Sequence, residues 1–251
     1  MSETPPPWLV HHPGRRADVL VLCDHAGNQI PAQLNQLGLD ADQTQGHIAW
    51  DPGALAVAER VAARLQAELL GWRLSRLVAD PNRAPDHADL ILVRSDDTFV
   101  PGNETLSDAQ RTQRLDEFHR PYHQIIEAAV ARRLAAGLRP LLISIHSFEP
   151  VLVGVPRPWP IGVLWKLARE PVAGVINALA AQGLEVGDNQ PYDGRVALGY
   201  TLEQHAIRHG LPHIPIELRN DLIRSEPSAD AWAERIITAL QQGGLLSLPS
   251  D

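Results

Sequence analysis

Short apolar runs alternate with longer amphipathic stretches along most of the chain. The run 19–23 is wholly apolar and stops abruptly at Asp24 and His25. A short apolar run that ends in polar and glycine residues predicts a buried strand followed by a turn. The stretches 139–148 and 211–220 follow a similar pattern. Three strands are therefore expected to deliver polar side chains where they end.

The amphipathic stretches predict helices between these strands. In 54–70 the apolar residues recur close to a 3.6-residue period, and Asp51-Pro52 predicts the helix start, with the acid as N-cap and the proline at the first helical position. The alternating residues 72–78 predict another strand, and the polar stretch 86–108 a long insertion. The other predicted helices cover 32–37, 107–136 with a break at Pro121, 171–182, 201–209 and 228–240.

Helices that alternate with strands predict an α/β fold, a three-layer α/β/α domain with a mixed, mostly parallel sheet. Residues 1–16 contain three consecutive prolines and predict an extended N-terminal lead-in, so a single domain is expected over 17–251. The proline-rich stretch 151–165 predicts a loop with at most an edge strand, and 186–194 a turn cluster.

Composition excludes several classes of function. The formal net charge of −8 gives no basic footprint, which argues against a nucleic-acid partner and an anionic membrane surface. Cys23 is the only cysteine, so no internal disulfide framework is expected. The N-terminus lacks the pattern of a signal peptide, and no apolar run approaches the roughly 18 residues of a membrane span. A cytoplasmic protein with a small-molecule substrate is expected, and its oligomeric state is not predicted.

The strand ends carry the ligand types of a hydrolytic zinc site. His25 and His146 supply two imidazoles, and such sites take a third ligand from His, Asp or Glu. Asn28 has an H-x-x-N spacing, but an amide is a poorer ligand than a carboxylate, so Asp51 is favoured as the third. The alternatives are a helix cap for Asp51 and an ordinary hydrogen-bonded histidine at each imidazole position.

A base and a set of anion-binding groups are also predicted. Glu217 is the candidate general base, the alternative being a salt bridge to Arg219. Arg83 and Arg219, with Asn82 and Asn220 beside them, are candidates to bind a substrate carboxylate through bidentate hydrogen bonds. Arginines at strand ends can equally be structural.

Other histidines and the cysteine offer weaker chemistry. His119 and His123 have a metal-capable spacing on a helix, but no glutamate follows His119 and Pro121 interrupts the turn, so a metal site there is disfavoured. His123 and Tyr200 are instead candidate substrate-binding residues. Cys23 lies inside an apolar strand, where a buried thiol is more ordinary than a nucleophile.

Motifs between residues 18 and 240 resemble those of the N-formylglutamate amidohydrolase family. They are 23–31, 49–54, 80–83, 118–123, 144–148, 187–192 and 216–223. The resemblance implies a fold like that of the zinc carboxypeptidases, whose sites use two histidines and an acid as ligands, an Asn-Arg pair for the substrate carboxylate and a late glutamate as base. The spacing in this chain is similar, from His25 to His146 and on to Glu217, with Asn82-Arg83 between the two histidines. One departure is Asn28, which stands where the carboxypeptidase pattern H-x-x-E has its glutamate.

The residues and the resemblance together predict a metal-dependent amidohydrolase, with one zinc ion. Its expected substrate is an N-acyl amino acid such as N-formyl-L-glutamate, cleaved to formate and glutamate. The alternatives are another N-acyl amino acid or a small peptide amide as substrate, a cysteine amidase, and a non-catalytic binding domain that keeps the pocket.

Overall fold

A seven-stranded mixed sheet forms the centre of the molecule. The computed structural model describes residues 6–11 and 16–246. The sheet contains β1 (Trp8–His11), β2 (Arg16–Cys23), β3 (Ala67–Trp72), β6 (Leu141–Phe148), β9 (Ile161–Val163), β10 (Val186–Asp188) and β11 (His213–Arg219). Their order is β1-β3-β2-β6-β11-β9-β10, and all neighbours pair in parallel except β1 with β3 and β9 with β11.

The helices connect and cover these strands. They are α1 (Ala41–Gln45), α2 (Ala54–Leu65), α3 (Asp108–Phe118), α4 (Arg120–Ala135), α5 (Glu170–Ala181), α6 (Tyr200–His205) and α7 (Glu226–Gln242). Two ribbons lie outside the main sheet, β4 (Arg94–Ser95) with β5 (Thr98–Phe99) and β7 (Val151–Leu152) with β8 (Val155–Pro156). Among the described residues, no helix has both the length and the apolar character needed to cross a bilayer.

Each face of the sheet carries its own buried core. Successive residues of a strand point to opposite faces, so Val21 of β2 packs with the apolar sides of α2, α5 and α7, whereas Leu22 packs with α4 and α6. A strand buried on both faces must be apolar throughout, which explains the unbroken run 19–23. The predicted three-layer fold with a mostly parallel sheet is therefore confirmed.

The topology gathers the polar strand ends at one edge. β3, β2, β6 and β11 are adjacent and parallel, so their carboxyl ends lie together, as in other open α/β sheets whose sites form there. His146 and Glu217 are register partners on β6 and β11. Because paired residues of neighbouring strands share a face, both side chains leave the sheet on the α4 side.

The predicted boundary between the first long helix and the next strand is wrong. Helix α2 ends at Leu65 because Gln66 adopts a left-handed conformation with φ of 53°. The next six residues, 67–72, form β3, and all six are buried between β1 and β2. The apolar residues of 67–70 thus continue the helical period by chance. Of the predicted strand 72–78, only Trp72 belongs to β3, and 73–78 form a connection that leads towards the site.

The predicted helix cap at Asp51 is also wrong. Helix α2 begins at Ala54, and its N-cap is Gly53, whose φ of 84° suits a residue without a Cβ. The backbone N–H of Asp51 donates to the carbonyl oxygen of His25 at 3.1 Å. The carboxylate of Asp51 is therefore available for other partners.

Two further predictions near the proline-rich segment need correction. Residues 161–163 form β9, an interior strand, because the prolines precede these three residues and leave their backbone free to pair on both sides. Residues 186–188 form the edge strand β10 rather than part of a turn. In the predicted lead-in, Trp8–His11 pairs with β3, while residues 1–5 and 12–15 lie outside the described part of the chain.

Gly162 lets the chain after β10 pass directly against β9. A Cβ at this position would overlap the carbonyl oxygen of Gln190. Gly162→Ala is expected to destabilise the protein by about 2–3 kcal/mol, since overpacking against backbone forces a local shift. Urea denaturation measures the change, with Gly46→Ala, whose new Cβ meets only ordinary contacts, as the control. Equal stability of the two variants would contradict the close approach.

Candidate active site

Two imidazoles and one carboxylate converge at the carboxyl edge of the sheet. The Nδ1 atoms of His25 and His146 lie 3.3 Å and 2.9 Å from Oδ2 of Asp51. All three residues are buried, and one potential ligand atom from each lies within 4.8 Å of the others. The sequence-predicted trio is therefore brought together, and these residues could hold a metal ion.

The remaining nitrogen of each imidazole faces a second carboxylate. His25 Nε2 lies 2.8 Å from Asp80 Oδ1, and His146 Nε2 lies 3.2 Å from Asp24 Oδ2. Tyr122 donates its hydroxyl to the other oxygen of Asp24 at 2.8 Å. Outer carboxylates of this kind orient metal-binding histidines and fix the tautomer that presents a lone pair. The donor set thus fits a metal ion at the Nδ1 side of both rings.

Burial lowers the pKa of each of the two histidines, and the neighbouring carboxylate raises it. Burial lowers the pKa of His25 to about 4, with Asp80 opposing the shift. Burial also lowers the pKa of His146, but the hydrogen bond and charge of Asp24 outweigh it and raise the pKa overall. Burial alone raises the pKa of Asp24 and Asp80, yet the imidazole partners hold both below their ordinary value. The outer carboxylates therefore stay ionised.

Asn28, the alternative third ligand, is engaged elsewhere. Its Nδ2 donates to the carbonyl oxygen of Thr44 at 2.9 Å, which anchors the loop after β2. Asp51 Oδ2 accepts the backbone N–H of Ser147 at 3.2 Å and lies within 3.3 Å of Nδ1 of both imidazoles. The structure thus groups Asp51, and not Asn28, with the histidines.

Arg76 and His47 also reach Asp51, and the sequence analysis missed both. An Arg76 guanidinium nitrogen pairs with Oδ1 of Asp51, and His47 Nδ1 lies 3.6 Å from the same oxygen. Burial lowers the pKa of Arg76 and of His47. The Nε of Arg76 is buried without a hydrogen-bond partner among the described residues. A buried guanidinium with a spare donor is suited to receive a developing negative charge.

Glu217 lies beside His146 with one oxygen free. Its Oε2 is buried and has no hydrogen-bond partner among the described residues. Burial raises the pKa of Glu217, while His146, Arg76, His25 and Arg157 oppose the rise. The predicted alternative, an ion pair with Arg219, is not formed between these residues. A carboxylate with a raised pKa and an unused oxygen is suited to proton transfer.

The loop 80–83 holds the predicted Asn-Arg pair near His25. Asp80 Oδ1 accepts the backbone N–H of Asn82 at 2.8 Å, and Arg83 Nε lies 3.5 Å from Asp80 Oδ2. Asn82 Oδ1 accepts the backbone N–H of Thr201 at 3.2 Å. This contact turns the Nδ2 donor of Asn82 away from Thr201 and leaves it for a ligand. Arg83 is also partly exposed, with 37% of its side chain accessible.

Arg219 and Asn220 have protein partners. Arg219 donates to Asp221 Oδ1 at 2.9 Å and to the Pro158 carbonyl at 3.1 Å. Asn220 is fully buried and donates to Glu149 Oε1 at 2.9 Å. These contacts fasten the segments that follow β6 and β8 to the end of β11, and a role of either residue in substrate binding stays a prediction.

Arg157 is a second guanidinium that the sequence analysis missed. It is 8% exposed and stands between the rings of Phe148 and Tyr192, at 5.7 Å and 4.9 Å from their centroids. Its Nη1 donates to the Tyr192 hydroxyl at 3.3 Å. No carboxylate of the described residues lies within ion-pair distance of it. Burial of an unpaired cation is costly, so this position favours an incoming anion.

His123, Tyr200 and Cys23 can also be placed. His123 Nε2 donates to the Pro81 carbonyl at 2.9 Å, and its ring centroid lies 4.9 Å from that of Tyr200. The backbone N–H of Tyr200 donates to the Asn82 carbonyl at 3.0 Å. Both residues therefore touch the loop 80–83. Cys23 is fully buried, and burial raises its pKa well above the ordinary range, which disfavours a thiolate nucleophile.

Fold and site together define a three-layer α/β protein in which a histidine-carboxylate cluster lies beside a buried glutamate. The N-formylglutamate amidohydrolase family model matches residues 17–224. The chain belongs to the N-formylglutamate amidohydrolase family, as its motifs predicted, and the family is one of hydrolases that act on amide bonds.

Two solved structures share the fold of this chain. A gene product from Agrobacterium tumefaciens is 36% identical, with a TM-score of 0.89 over 94% of this chain and 95% of that one. N-formylglutamate amidohydrolase from Ralstonia eutropha JMP134 is 20% identical, with a TM-score of 0.73 over 95% and 97% of the two chains, a likeness of fold. No curated protein matches this sequence.

Proposed function

We propose that the protein is a zinc-dependent amidohydrolase that removes the acyl group from an N-acyl acidic amino acid, with N-formyl-L-glutamate as the leading substrate. The observation that carries the proposal is the convergence of His25, Asp51 and His146 beside the unpartnered oxygen of Glu217. Membership of the family supports the amide-cleaving reaction. The donor set of two imidazoles and one carboxylate is that of hydrolytic zinc sites, which leave a position open for water or substrate.

His25, Asp51 and His146 would hold the ion. Zinc bound there would polarise the acyl carbonyl and lower the pKa of water. Asp24 and Asp80 hold the outer nitrogens of the imidazoles and so keep the Nδ1 lone pairs directed inward. Arg76, which lies against Asp51, would add a positive charge close to the carbonyl oxygen as it becomes negative.

Glu217 would move the proton. Its buried oxygen takes a proton from the attacking water, and the resulting carboxylic acid returns that proton to the amide nitrogen as the carbon–nitrogen bond breaks. Water and the N-formyl amide thus give formate and the free amino acid. The raised pKa of Glu217 favours the first of these steps, since the carboxylate is more basic than an exposed one.

Two cationic groups would bind the carboxylates of an acidic substrate. Asn82 and Arg83 offer donors on the side of His25, and Arg157 offers its guanidinium on the side of Glu217. Arg219 supports Arg157 through a hydrogen bond of 3.5 Å to its carbonyl oxygen. An amino acid with a second carboxylate would supply the anion that the buried Arg157 lacks.

A pair of substrates tests this recognition. Arg157→Gln is expected to lower kcat/KM for N-formyl-L-glutamate by about 10- to 100-fold, because a charged hydrogen bond is lost, and to leave the lower kcat/KM for N-formyl-L-glutamine nearly unchanged. Steady-state kinetics of both substrates measure the change. Arg235→Gln, at an exposed arginine on α7, is the matched control.

The same assays decide the wider proposal. An equal loss of kcat/KM for both substrates would contradict the role of Arg157. If the wild-type protein binds zinc but cleaves no member of an N-acyl amino acid panel, the enzymatic proposal is contradicted and a binding domain is favoured. Turnover confined to another N-acyl amino acid or to a peptide amide would replace the substrate and keep the mechanism.

A further inference from the structure

Three carbonyl groups of the loop 80–83 accept hydrogen bonds from residues outside the loop. His123 Nε2 reaches the Pro81 carbonyl and His119 Nε2 the Arg83 carbonyl, each at 2.9 Å. The intervening Asn82 carbonyl accepts the backbone N–H of Tyr200 at 3.0 Å. A carbonyl oxygen can only accept, so each of these imidazoles must carry a proton on Nε2. The histidines thereby fix the backbone that presents Asn82 and Arg83.

His123 is the inner end of a hydrogen-bonded chain that reaches the surface. Its Nδ1 lies 3.0 Å from His205 Nε2, and His205 Nδ1 lies 3.0 Å from Glu127 Oε2. The two ring planes differ by only 18° and their centroids lie 5.2 Å apart, as expected of rings that meet edge to edge through this hydrogen bond. The His205 side chain is 2% exposed and the Glu127 side chain 45% exposed. We call Glu127, His205 and His123 the histidine relay.

The relay needs one proton more than two neutral imidazoles possess. Its three hydrogen bonds join Glu127 to His205, His205 to His123, and His123 to the Pro81 carbonyl. Each bond requires one proton, and both ends of the chain are acceptors when Glu127 is ionised. Two neutral imidazoles supply only two protons. With all three hydrogen bonds formed, the two imidazoles of the relay therefore carry one positive charge, which the carboxylate of Glu127 balances.

We propose that the histidine relay positions the substrate-binding loop 80–83, and that its extra proton, held against Glu127, is what keeps the hydrogen bond to the Pro81 carbonyl in place. When that proton leaves, the ionised Glu127 keeps the Nδ1 proton of His205, so His205 Nε2 can only accept. His123 then donates its single proton from Nδ1 to His205, and the Pro81 carbonyl loses its donor. The relay residues are positioning residues, because they act through Asn82 and Arg83. That the loop binds substrate rests on the proposed function, whereas the proton count rests on the hydrogen bonds alone.

The proton resides on His205. Burial lowers the pKa of His123 to about 3, so this ring stays neutral. Burial also lowers the pKa of His205, but Glu127 opposes the shift by hydrogen bond and charge. The titratable groups that face the two rings are His119 directly before α4, Tyr122 and Glu127 from α4, Tyr200 and His209 from the α6 region, and Asp24 directly after β2. The pKa of His205 is therefore expected below its ordinary value.

Glu127→Gln tests the proposal because an amide can donate. Its NH₂ group would donate to His205 Nδ1, so two neutral imidazoles would complete all three hydrogen bonds. In the zinc-loaded wild type, KM is expected to rise about fivefold as pH increases from 5 to 8, the effect of one lost hydrogen bond. In Glu127→Gln, KM should stay at the low value throughout, with kcat unchanged. His209→Gln is the matched control, since His209 contacts the other oxygen of Glu127 and lies outside the relay.

A second readout needs no substrate. Nitrogen-15 NMR of the imidazoles is expected to show His205 as an imidazolium at pH 5 in the wild type, and as a neutral ring in Glu127→Gln at pH values where the wild type is still protonated. His205→Gln assigns the signals. A neutral His205 in the wild type at pH 5, or the same KM profile in wild type and Glu127→Gln, would overturn the proposal. Failure of all N-acyl amino acids as substrates would overturn the proposed function and leave the NMR result to judge the proton count.

Conservative replacement separates positioning from folding. His123→Gln keeps a donor for the Pro81 carbonyl and an acceptor for His205, so its KM is expected to stay within about twofold of the wild type at pH 5, whereas His123→Leu, which keeps neither, should raise KM about fivefold. Equal KM values in the two variants would contradict the positioning role.

Discussion

Glu217→Gln is expected to lower kcat by about 100- to 10,000-fold, because proton transfer by a positioned group contributes that much to catalysis. Glutamine has nearly the same shape but cannot accept and return a proton. Since Glu217 is not among the residues that converge as metal ligands, the zinc content should stay unchanged. Single-turnover kinetics with N-formyl-L-glutamate, run beside elemental analysis, measure both quantities.

The exposed residue Glu185 provides the matched control for this substitution. Glu185→Gln should retain wild-type kcat and zinc content. Loss of zinc from Glu217→Gln would indicate that Glu217 is a ligand rather than the base. Retention of kcat with zinc bound would contradict the proton-transfer role outright.

His146→Ala is expected to abolish stoichiometric zinc binding and, with it, turnover. The substitution removes one of two imidazoles and also leaves Asp51 and Asp24 without their shared partner. Asp24→Asn should act more mildly, lowering zinc affinity about 10- to 100-fold, as changes to outer carboxylates commonly do. Competition with a chromogenic chelator measures the affinities, and the expected order is wild type, Asp24→Asn, then His146→Ala.

His213→Ala controls for the loss of an imidazole elsewhere on the sheet. His213 begins β11 and contacts the Leu211 carbonyl at 2.9 Å, so its replacement should not affect zinc. Wild-type zinc affinity in His146→Ala would show that the ion, if any, binds elsewhere. A circular dichroism spectrum like that of the wild type is required of each variant.

The sequence predicts an element best where a single physical cause explains its residue types. The run 19–23 is apolar because β2 is buried on both faces, and that strand was predicted from the sequence. The boundary at Gln66 could not be predicted, because the end of α2 depends on the pairing of β3 with β1 and β2, which are distant in sequence. Strand β9 was missed since its three residues gain strand character only from two neighbours distant in sequence.

The same distinction explains the candidate site. His25 follows an apolar strand, and His146 and Glu217 lie near the carboxyl ends of two others, so their meeting at one edge could be predicted. Asp51 was favoured on ligand chemistry, although its predicted role as helix cap was wrong.

Arg76 and Arg157 carried no comparable signal. Arg76 lay in a stretch predicted as a strand, and Arg157 lies in a proline-rich loop. Only the folded chain shows that Arg76 reaches Asp51 and that Arg157 stands between Phe148 and Tyr192. A metal site at His119 and His123 was disfavoured from the sequence, and their Nε2 atoms hydrogen-bond to backbone carbonyls of the loop 80–83.

The most direct measurement is a titration of chelator-treated protein with zinc while the hydrolysis of N-formyl-L-glutamate is followed. The proposed site predicts that activity rises linearly and stops at one zinc per chain, and that His146→Ala shows no such rise. Full activity in the metal-free protein, or no activity at any zinc concentration despite stoichiometric binding, would contradict the proposed zinc-dependent cleavage of this substrate.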